Sequence, residues 1–539
     1  MIRKLLIGCG VVAVLAGLAL VGFGWWVKQT QILESGGVLR PAQAAYDVRH
    51  YTLNVTVDPD ESAISGDLTA RLSLRSLRDD LELDLDHRLA VDGVMVDGVE
   101  AVFEHRGGVV SFTLPEAAVA GETIEVAVAY HGRPKVALRA PWIDGFVWSE
   151  TESGAPWVGV TTQGDGCDIW WPCKDHPSDW PEEGMDIRLT VPEGLIGLSN
   201  GRPVGRPTVH DGLVTTEWRV SHPIDSYLVT VNIGPFVPVE STYRVADGSL
   251  EMPIIFWALP EHAEDAEKMW PQASTILEVF GRRFREYPFL DDKFWVVEAP
   301  YLGMEHQTLV AYGADFTDNA YGFDTLLLHE IAHEWWGNAV SVADWADFWL
   351  QEGFATYSEA LYVLDTRGRT DYLTYMAEMR ARIGNRHPLV RGRDLTSFEA
   401  YSGDIYVKGA WVLHTLRWLV GDAAHDEMLR RFATDPWTGS AKVDTADFIA
   451  LAQEVAGRDL EWFFDRYVFE AALPVLHRES DGGAIHRLRW AHDDFLMPVP
   501  VRIDGQVQVL DPALGPMEIP DGAEIDPEGW LLCEVVTGR

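Results

Sequence analysis

From Asp47 onward the chain alternates apolar and polar residues with a period of two. YTLNVTVD, ISGDLTARLSL and LELDLD each place one set of side chains on one face, the pattern of half-buried strands. Pairs such as Asp92-Gly93, Asp97-Gly98 and Gly107-Gly108 read as turns between further short strands. This text runs to about Pro235-Phe236 and predicts a large antiparallel β domain. The period then changes. MPIIFWAL, beginning at Met252, is an apolar strand, residues 261–287 are helical in period, and KFWVVEAP and TLVAYGADF are strands again. Helices dominate next, predicted over 321–338, 345–367, 371–384, 403–420, 422–434, 443–456 and 459–470. RLRWAH, MPVPVRID and QVQVL then return to short strands. The fold class is α+β in several domains: an N-terminal β domain over 46–240, a mixed domain with a helical lobe over 241–473, and a small C-terminal β domain over 474–539. A module of that last size is too small to enclose a cleft, though it can flank one side.

Ahead of this lies LLIGCGVVAVLAGLALVGFGWWV, residues 5–27, without a charge. As a helix it would be about 34 Å long, enough to cross a hydrocarbon core of about 30 Å. Arg3 and Lys4 precede it, which leaves the N-terminus in the cytoplasm. The run exceeds the apolar core of a cleaved signal peptide. Residues 1–28 therefore read as an uncleaved membrane anchor and 29–45 as a linker, with a cleaved secretion signal as the alternative. Either way the body of the chain lies outside the cytoplasm, in the cell envelope or on the extracellular side.

Composition narrows the partners. Among 539 residues, 83 are Asp or Glu and 43 Lys or Arg, a formal net charge of −40. Such a surface repels polyphosphate, and no basic stripe offsets it, so nucleic-acid binding is excluded. Four cysteines are too few for a disulfide scaffold, and no CxxC pair suggests a zinc ribbon. Cys167 and Cys173 can close a small loop in an oxidising compartment, or stand as two buried thiols.

The chemistry is concentrated in LLLHEIAHEWWGN. His329 and His333 are four apart, so on a helix they share one face and can take two corners of a zinc tetrahedron. Glu330, rotated by about 100°, can face the open position and take a proton from water. Alone, this motif also fits an amphipathic helix with two satisfied histidines. Glu352, in WLQEGFATYSEAL, supplies a third ligand if a second helix returns it to the metal. A His2Glu set leaves one position open, the form of catalytic zinc sites. Otherwise Glu352 is a solvated glutamate at a helix start. Asp347 and Glu359 are candidate acceptors for the imidazole N–H groups. One zinc ion per chain suits these donors, and cobalt or manganese is compatible with them.

HEIAHEWWGN followed by Glu352 resembles the aminopeptidase N family of zinc metallopeptidases. LGMEH (302–306) is similar to that family's Gly-Ala-Met-Glu-Asn motif, YVKGA (406–410) to its Tyr-x-Lys-Gly-Ala segment, and Thr162-Gln163 with WWPCKD to the stretch of the first domain that reaches the cleft. The resemblance covers roughly residues 45–475. It implies a thermolysin-like catalytic domain and peptide substrates with a free N-terminus. It implies that His329, His333 and Glu352 bind zinc, that Glu330 is the general base, and that Tyr406 donates to the oxyanion. Glu305, helped by Gln163, would bind the α-amine, Met304 would line the first side-chain pocket, and Gly303 would lie on an edge strand that pairs with the peptide. Taken singly, Tyr406 also reads as a core tyrosine, Met304 as a gap-filler and Gln163 as a surface amide. His306 departs from the family's Asn. The expected function is zinc-dependent aminopeptidase. The alternatives are an endopeptidase with the same metal set and a membrane-anchored, non-catalytic peptide-binding protein.

Overall fold

The computed structural model describes residues 34–439, 442–480 and 485–538. The apolar run expected as a membrane anchor lies outside the described residues. Among them no helix is long and apolar enough to cross a membrane.

Alternation becomes strand where it was read. In Tyr46–Asp58 buried residues alternate with half-buried ones on either side of a register shift between Val48 and His50. The strand sits within an eight-stranded sheet, in the order Arg202–His210, Leu213–Val220, Met185–Pro192, Tyr46–Asp58, Ala63–Leu74, Thr123–Gly132, Leu89–Val96, Val99–Glu100. One pair, Tyr46–Asp58 with Met185–Pro192, is parallel, and the other pairings are antiparallel. Arg202–His210 is exposed at every residue and carries Pro203 and Pro207, a composition that blunts a sheet edge against another chain. Asp97-Gly98 and Gly107-Gly108 are turns at positive φ. Asp92-Gly93 is not. It lies inside Leu89–Val96, where the register shifts between Val91 and Gly93, so it makes a β-bulge. Turns and bulges favour the same small and polar residues, and the dipeptide alone does not separate them.

The second part opens with a five-stranded sheet ordered Val237–Arg244, Glu251–Ala258, Phe294–Glu298, Leu309–Tyr312, Gly303–Met304. Val237–Arg244 pairs with Glu251–Ala258 along its whole length, so the crossing into this part comes before Val237 rather than at 240. Gly303–Met304 is the antiparallel edge strand. Around the sheet are α1 (Ala263–Met269), α2 (Pro271–Arg283), α3 (Thr325–Ala332), α4 (Trp349–Arg367), α5 (Arg369–Arg380), α6 (Ser397–Ala400), α7 (Asp404–Val420), α8 (Asp422–Gly439), α9 (Thr445–Ala456) and α10 (Glu461–Tyr467). Buried tryptophans fill the space between these helices, among them Trp335, Trp336, Trp345, Trp349 and Trp411.

The C-terminal strands form two small sheets, ordered Met517–Pro520, Ile485–Trp490, Val475–Ser480, Glu534–Gly538 and Gln506–Leu510, Val499–Ile503, Glu524–Ile525. They pack on the helical lobe through the connecting segment. Trp530 stacks on His414 with ring centroids 4.5 Å apart, and Arg380 donates to the Cys533 carbonyl at 2.7 Å.

The stretch expected as a linker is packed from Ser35 on. Ser35 N–H donates to the Gly164 carbonyl at 3.2 Å, and its carbonyl accepts from Ser397 N–H at 2.9 Å. Its hydroxyl donates to Asp175 at 2.9 Å and accepts from Trp345 Nε1 at 3.2 Å. The segment is thus wedged between the N-terminal domain and the helical lobe. Gly36, at φ 81°, lies against the Trp345 ring, and a Cβ there would overlap it. Gly36→Ala should therefore combine a disfavoured backbone with overpacking, a cost of about 2–4 kcal/mol. Gly98→Ala, at φ 79° in open space, should cost only about 1 kcal/mol. Urea-denaturation midpoints of the two variants check this, and equal midpoints would show that the segment is not wedged.

Candidate active site

Asp324 caps α3 by accepting from Leu327 N–H at 2.9 Å, and the chain folds back after Ala332, with Asn338 N–H donating to the His333 carbonyl at 3.0 Å. The helix is therefore shorter at both ends than its periodicity predicts, yet it holds His329 and His333 on one face. His329 Nδ1 faces Glu359 at 2.9 Å, and Glu359 accepts from the Tyr375 hydroxyl at 2.5 Å. His333 Nδ1 faces the Trp336 carbonyl at 2.8 Å. Asp347 serves neither imidazole. It accepts from Arg393 and from Thr445 N–H, both at 3.0 Å. A carbonyl only accepts, so His333 carries a proton on Nδ1, and the lone pair of the neutral ring, the one a metal would take, is on the inward Nε2.

Glu352 stands in the first turn of α4. Its Oε2 lies 3.4 Å from His329 Nε2 and 3.3 Å from His333 Nε2, and the two nitrogens are 3.1 Å apart. Donors about 2.0–2.1 Å from a tetrahedral ion would be about 3.3 Å from each other, so these three atoms match one face of such a site. Glu352 Oε2 is buried with no hydrogen-bond partner. Burial alone would raise the Glu352 carboxyl, but the two imidazoles override it and hold it down at about 2. The trio is the one group of metal-holding geometry among the described residues, and its donors fit a divalent ion.

Two glycines bring the next group in. A Cβ on Gly353 would lie 2.9 Å from the Gly409 Cα, so α4 and α7 meet backbone to backbone. Tyr406, one turn before Gly409, thereby donates its hydroxyl to Glu352 Oε1 at 3.0 Å. Burial pushes the Tyr406 phenol up, which keeps it a neutral donor. Glu330 is buried beside Gly303, where a Cβ would sit 2.9 Å from its Oε1, so glycine leaves the carboxylate clear. Burial raises the Glu330 carboxyl against the pull of both histidines, the direction a proton acceptor needs.

Gln163 reaches in from the N-terminal domain. Its amide nitrogen donates to Glu305 at 2.6 Å and to Glu352 at 3.1 Å. Asp144 holds the loop behind it, accepting from Gly164 N–H at 2.6 Å and from Asp165 N–H at 3.0 Å, and Lys135 pairs with Asp165. A Cys167–Cys173 disulfide closes the same loop. Glu305 is 3% exposed, and burial raises its carboxyl. The cavity is about 390 Å³, and its lining includes Gln163, Gly303, Met304, Glu305, His329, Glu330, His333, Glu352 and Tyr406, all nine residues read from the sequence. His306 faces elsewhere, fully buried, with neither ring nitrogen hydrogen-bonded, and burial pushes it down to about 3. Trp142, Leu326, Arg382 and Tyr401 also line the cavity without any motif to mark them.

A family model described as the peptidase family M1 domain matches residues 277–467, which span the metal trio and Tyr406. Over those residues the chain is similar to the peptidase family M1 domain. The chain is 27% identical over 330 residues to an aminopeptidase N of Streptomyces lividans, covering 56% of this chain and 37% of the relative. It is 23% identical over 460 residues to a leucine aminopeptidase 2 of Pyricularia oryzae, covering 78% and 72%. It is 26% identical over 415 residues to bovine (Bos taurus) aminopeptidase N, covering 69% and 41%. The chain thus spans well under half the length of the Streptomyces and bovine proteins. Among solved structures, an M1 zinc metallopeptidase of Deinococcus radiodurans is 28% identical with a TM-score of 0.68, over 80% of this chain and 95% of that one. A mutant of that protein bound to a Tyr-Ser-Ala substrate gives the same TM-score, over 80% and 96%. A two-domain M1 zinc metallopeptidase mutant bound to L-tryptophan gives 0.69 at 28% identity, over 80% and 96%.

The Glu359 carboxylate fixes the His329 ring. Glu359→Gln should weaken metal affinity about 10–100-fold without loss of fold. Competition with a calibrated chelator, alongside circular dichroism, measures this. Unchanged affinity would show that the bond to His329 is incidental.

Proposed function

We propose that this chain is a zinc aminopeptidase of the M1 family that removes N-terminal residues from peptides bearing a free amine. One observation carries the reading: the Glu305–Gln163 pair stands directly beside the metal trio, with Gln163 bonded to Glu352 as well. Buried carboxylates at that spot favour an ammonium group, and fixing the terminus there sets the cut one residue in. An endopeptidase must pass the chain through this position. The relatives named aminopeptidases, and the substrate-bound Deinococcus structure, support the same reading.

His329, His333 and Glu352 would hold zinc, which when bound supplies Lewis-acid polarisation of the scissile carbonyl and makes water a better acid. Glu330 takes the proton from the attacking water and passes it to the leaving amine. Tyr406 donates to the oxygen on which charge develops. Gly303, on the sheet edge, offers backbone groups to the peptide, and Met304, 2% exposed, forms pocket wall for the first side chain. We further place the catalytic part outside the cytoplasm, anchored by residues 5–27. The charge-free run after Arg3 and Lys4 supports this, as does the Cys167–Cys173 disulfide, a bond that persists in oxidising compartments.

Glu330→Gln should retain the metal and lose about 10²–10⁴-fold in kcat, because an amide cannot accept the water's proton. Near-normal turnover with metal bound would sink this mechanism. Glu305→Ala should lower kcat/KM on free-amine peptides by about 2–5 kcal/mol of transition-state binding, the scale of breaking a buried charged contact. The wild-type protein should leave N-acetylated peptides uncut. Equal rates on acetylated and free peptides would remove the aminopeptidase reading.

A further inference from the structure

The loop 305–308 joins the strands Gly303–Met304 and Leu309–Tyr312, and Glu305 is its first residue. It ends in a β-turn: Leu309 N–H donates to the His306 carbonyl at 3.1 Å. Thr308, the third residue of that turn, has a φ of 64°. Glycine or asparagine ordinarily takes such a position, and a β-branched residue there is an outlier. A backbone of this kind persists only where its surroundings over-determine it.

Here they do. Thr308 is fully buried. Its N–H donates to Glu334 Oε1 at 2.8 Å, and its carbonyl accepts from Trp295 N–H at 3.1 Å. Its hydroxyl accepts from Gly201 N–H at 2.8 Å and meets Lys293 Nζ at 3.5 Å. The other Glu334 oxygen accepts from the Tyr287 hydroxyl at 3.1 Å, so the carboxylate is itself fixed. Earlier in the loop, Asn338 donates to the Glu305 carbonyl at 3.0 Å and Asn200 to the Gln307 carbonyl at 2.7 Å. Glu334 follows His333 directly in the chain. One short segment therefore holds a metal-binding histidine on one side and the turn that carries Glu305 on the other.

We propose that Glu334 is a positioning residue of the amine site: its carboxylate locks Thr308 in the left-handed conformation, and the turn so formed aims Glu305 at Gln163. This rests on the aminopeptidase reading above and adds to it how the amine-binding carboxylate is placed relative to the metal. If Glu334 merely fills space behind the metal helix, the residue at 308 is irrelevant to its effect. If it locks the turn, a residue that takes positive φ without strain replaces it.

The test uses the full-length, metal-loaded protein and a free-amine tripeptide with its N-acetyl counterpart. Glu334→Ala should lower kcat/KM on the free tripeptide at least about tenfold, with KM raised and metal content unchanged, as expected for leaving the buried Thr308 N–H without its acceptor. Glu334→Gln, whose amide oxygen still accepts from Thr308 N–H, should stay within about threefold of wild type on the same measure. Thr308→Gly should also stay within about threefold, since glycine adopts this backbone freely. The double variant Glu334→Ala/Thr308→Gly should regain most of the lost activity. A loss that Thr308→Gly does not relieve, or no loss in Glu334→Ala, overturns the proposal. If Glu334→Ala does not fold, recovery of soluble protein in the double variant supports the lock, and continued failure counts against it. Wild-type protein that cuts both tripeptides equally would strike the aminopeptidase reading instead, because the rescue is read within the Glu334 series alone.

Discussion

Two imidazole nitrogens and a carboxylate oxygen held 3.1–3.4 Å apart in a buried cavity form an arrangement that no chain adopts without restraint. The Trp336 carbonyl behind His333 Nδ1 leaves its Nε2 facing the other two atoms, and the Glu352 oxygen has left water for the two imidazoles alone. A divalent ion turns the same crowding into binding, so affinity depends on how firmly the fold resists relaxing it. The restraints are identifiable. Glu359, backed by Tyr375, and the Trp336 carbonyl hold the two rings from behind. The first turn of α4 holds the carboxylate, and the tryptophans packed between the helices leave little room for those helices to shift.

The crowding extends to Glu305. Glu305 and Glu352 share the side chain of Gln163, so a second cation is favoured one residue's reach from the first. That makes the N-terminal domain part of the site rather than an appendage to it. The loop carrying Gln163 is held by Asp144, by the Lys135–Asp165 pair, by the Cys167–Cys173 disulfide, and through Gly164 by Ser35 and Ser397. The contact of Gly353 with Gly409 plays the matching part on the other wall, since any larger residue would move Tyr406 away from Glu352.

What the sequence made legible is what short-range periodicity encodes. Period-two alternation marked the strands, the four-residue spacing of His329 and His333 marked one helix face, and the helix carrying Glu352 was readable from its own period. What it hid depends on partners far along the chain or on backbone atoms. The acceptor for His333 is the Trp336 carbonyl, which no side-chain code announces, and Asp347, of suitable type, turns to Arg393 instead. Ser35 through Gly37 read as a linker because their partners, Gly164, Trp345 and Leu395, lie far away in sequence. Thr308 gave no signal either. Its positive φ contradicts its own preference and follows from Glu334, Gly201 and Lys293.

The C-terminal strands bear on how the site selects its substrates. They pack on α5 and α7, through Arg380 and His414, and no residue beyond Tyr406 lines the active cavity among the described residues. The module therefore stiffens the helices behind the site without flanking its mouth, where Trp142, Leu302 and Tyr401 remain partly open to solvent. Among the described residues none beyond Tyr406 lines the mouth, so in the proposed function the position of the cut falls to the inner end of the cavity. There the separation between the Glu305–Gln163 pair and the metal trio is set by bonded contacts, with Gln163 bridging Glu305 to Glu352 directly. A reach set by bonded atoms does not vary with the length of peptide trailing into solvent. Under the proposed aminopeptidase function, the register of the cut is therefore set at the closed end of the cleft, where Gln163 bridges Glu305 and Glu352.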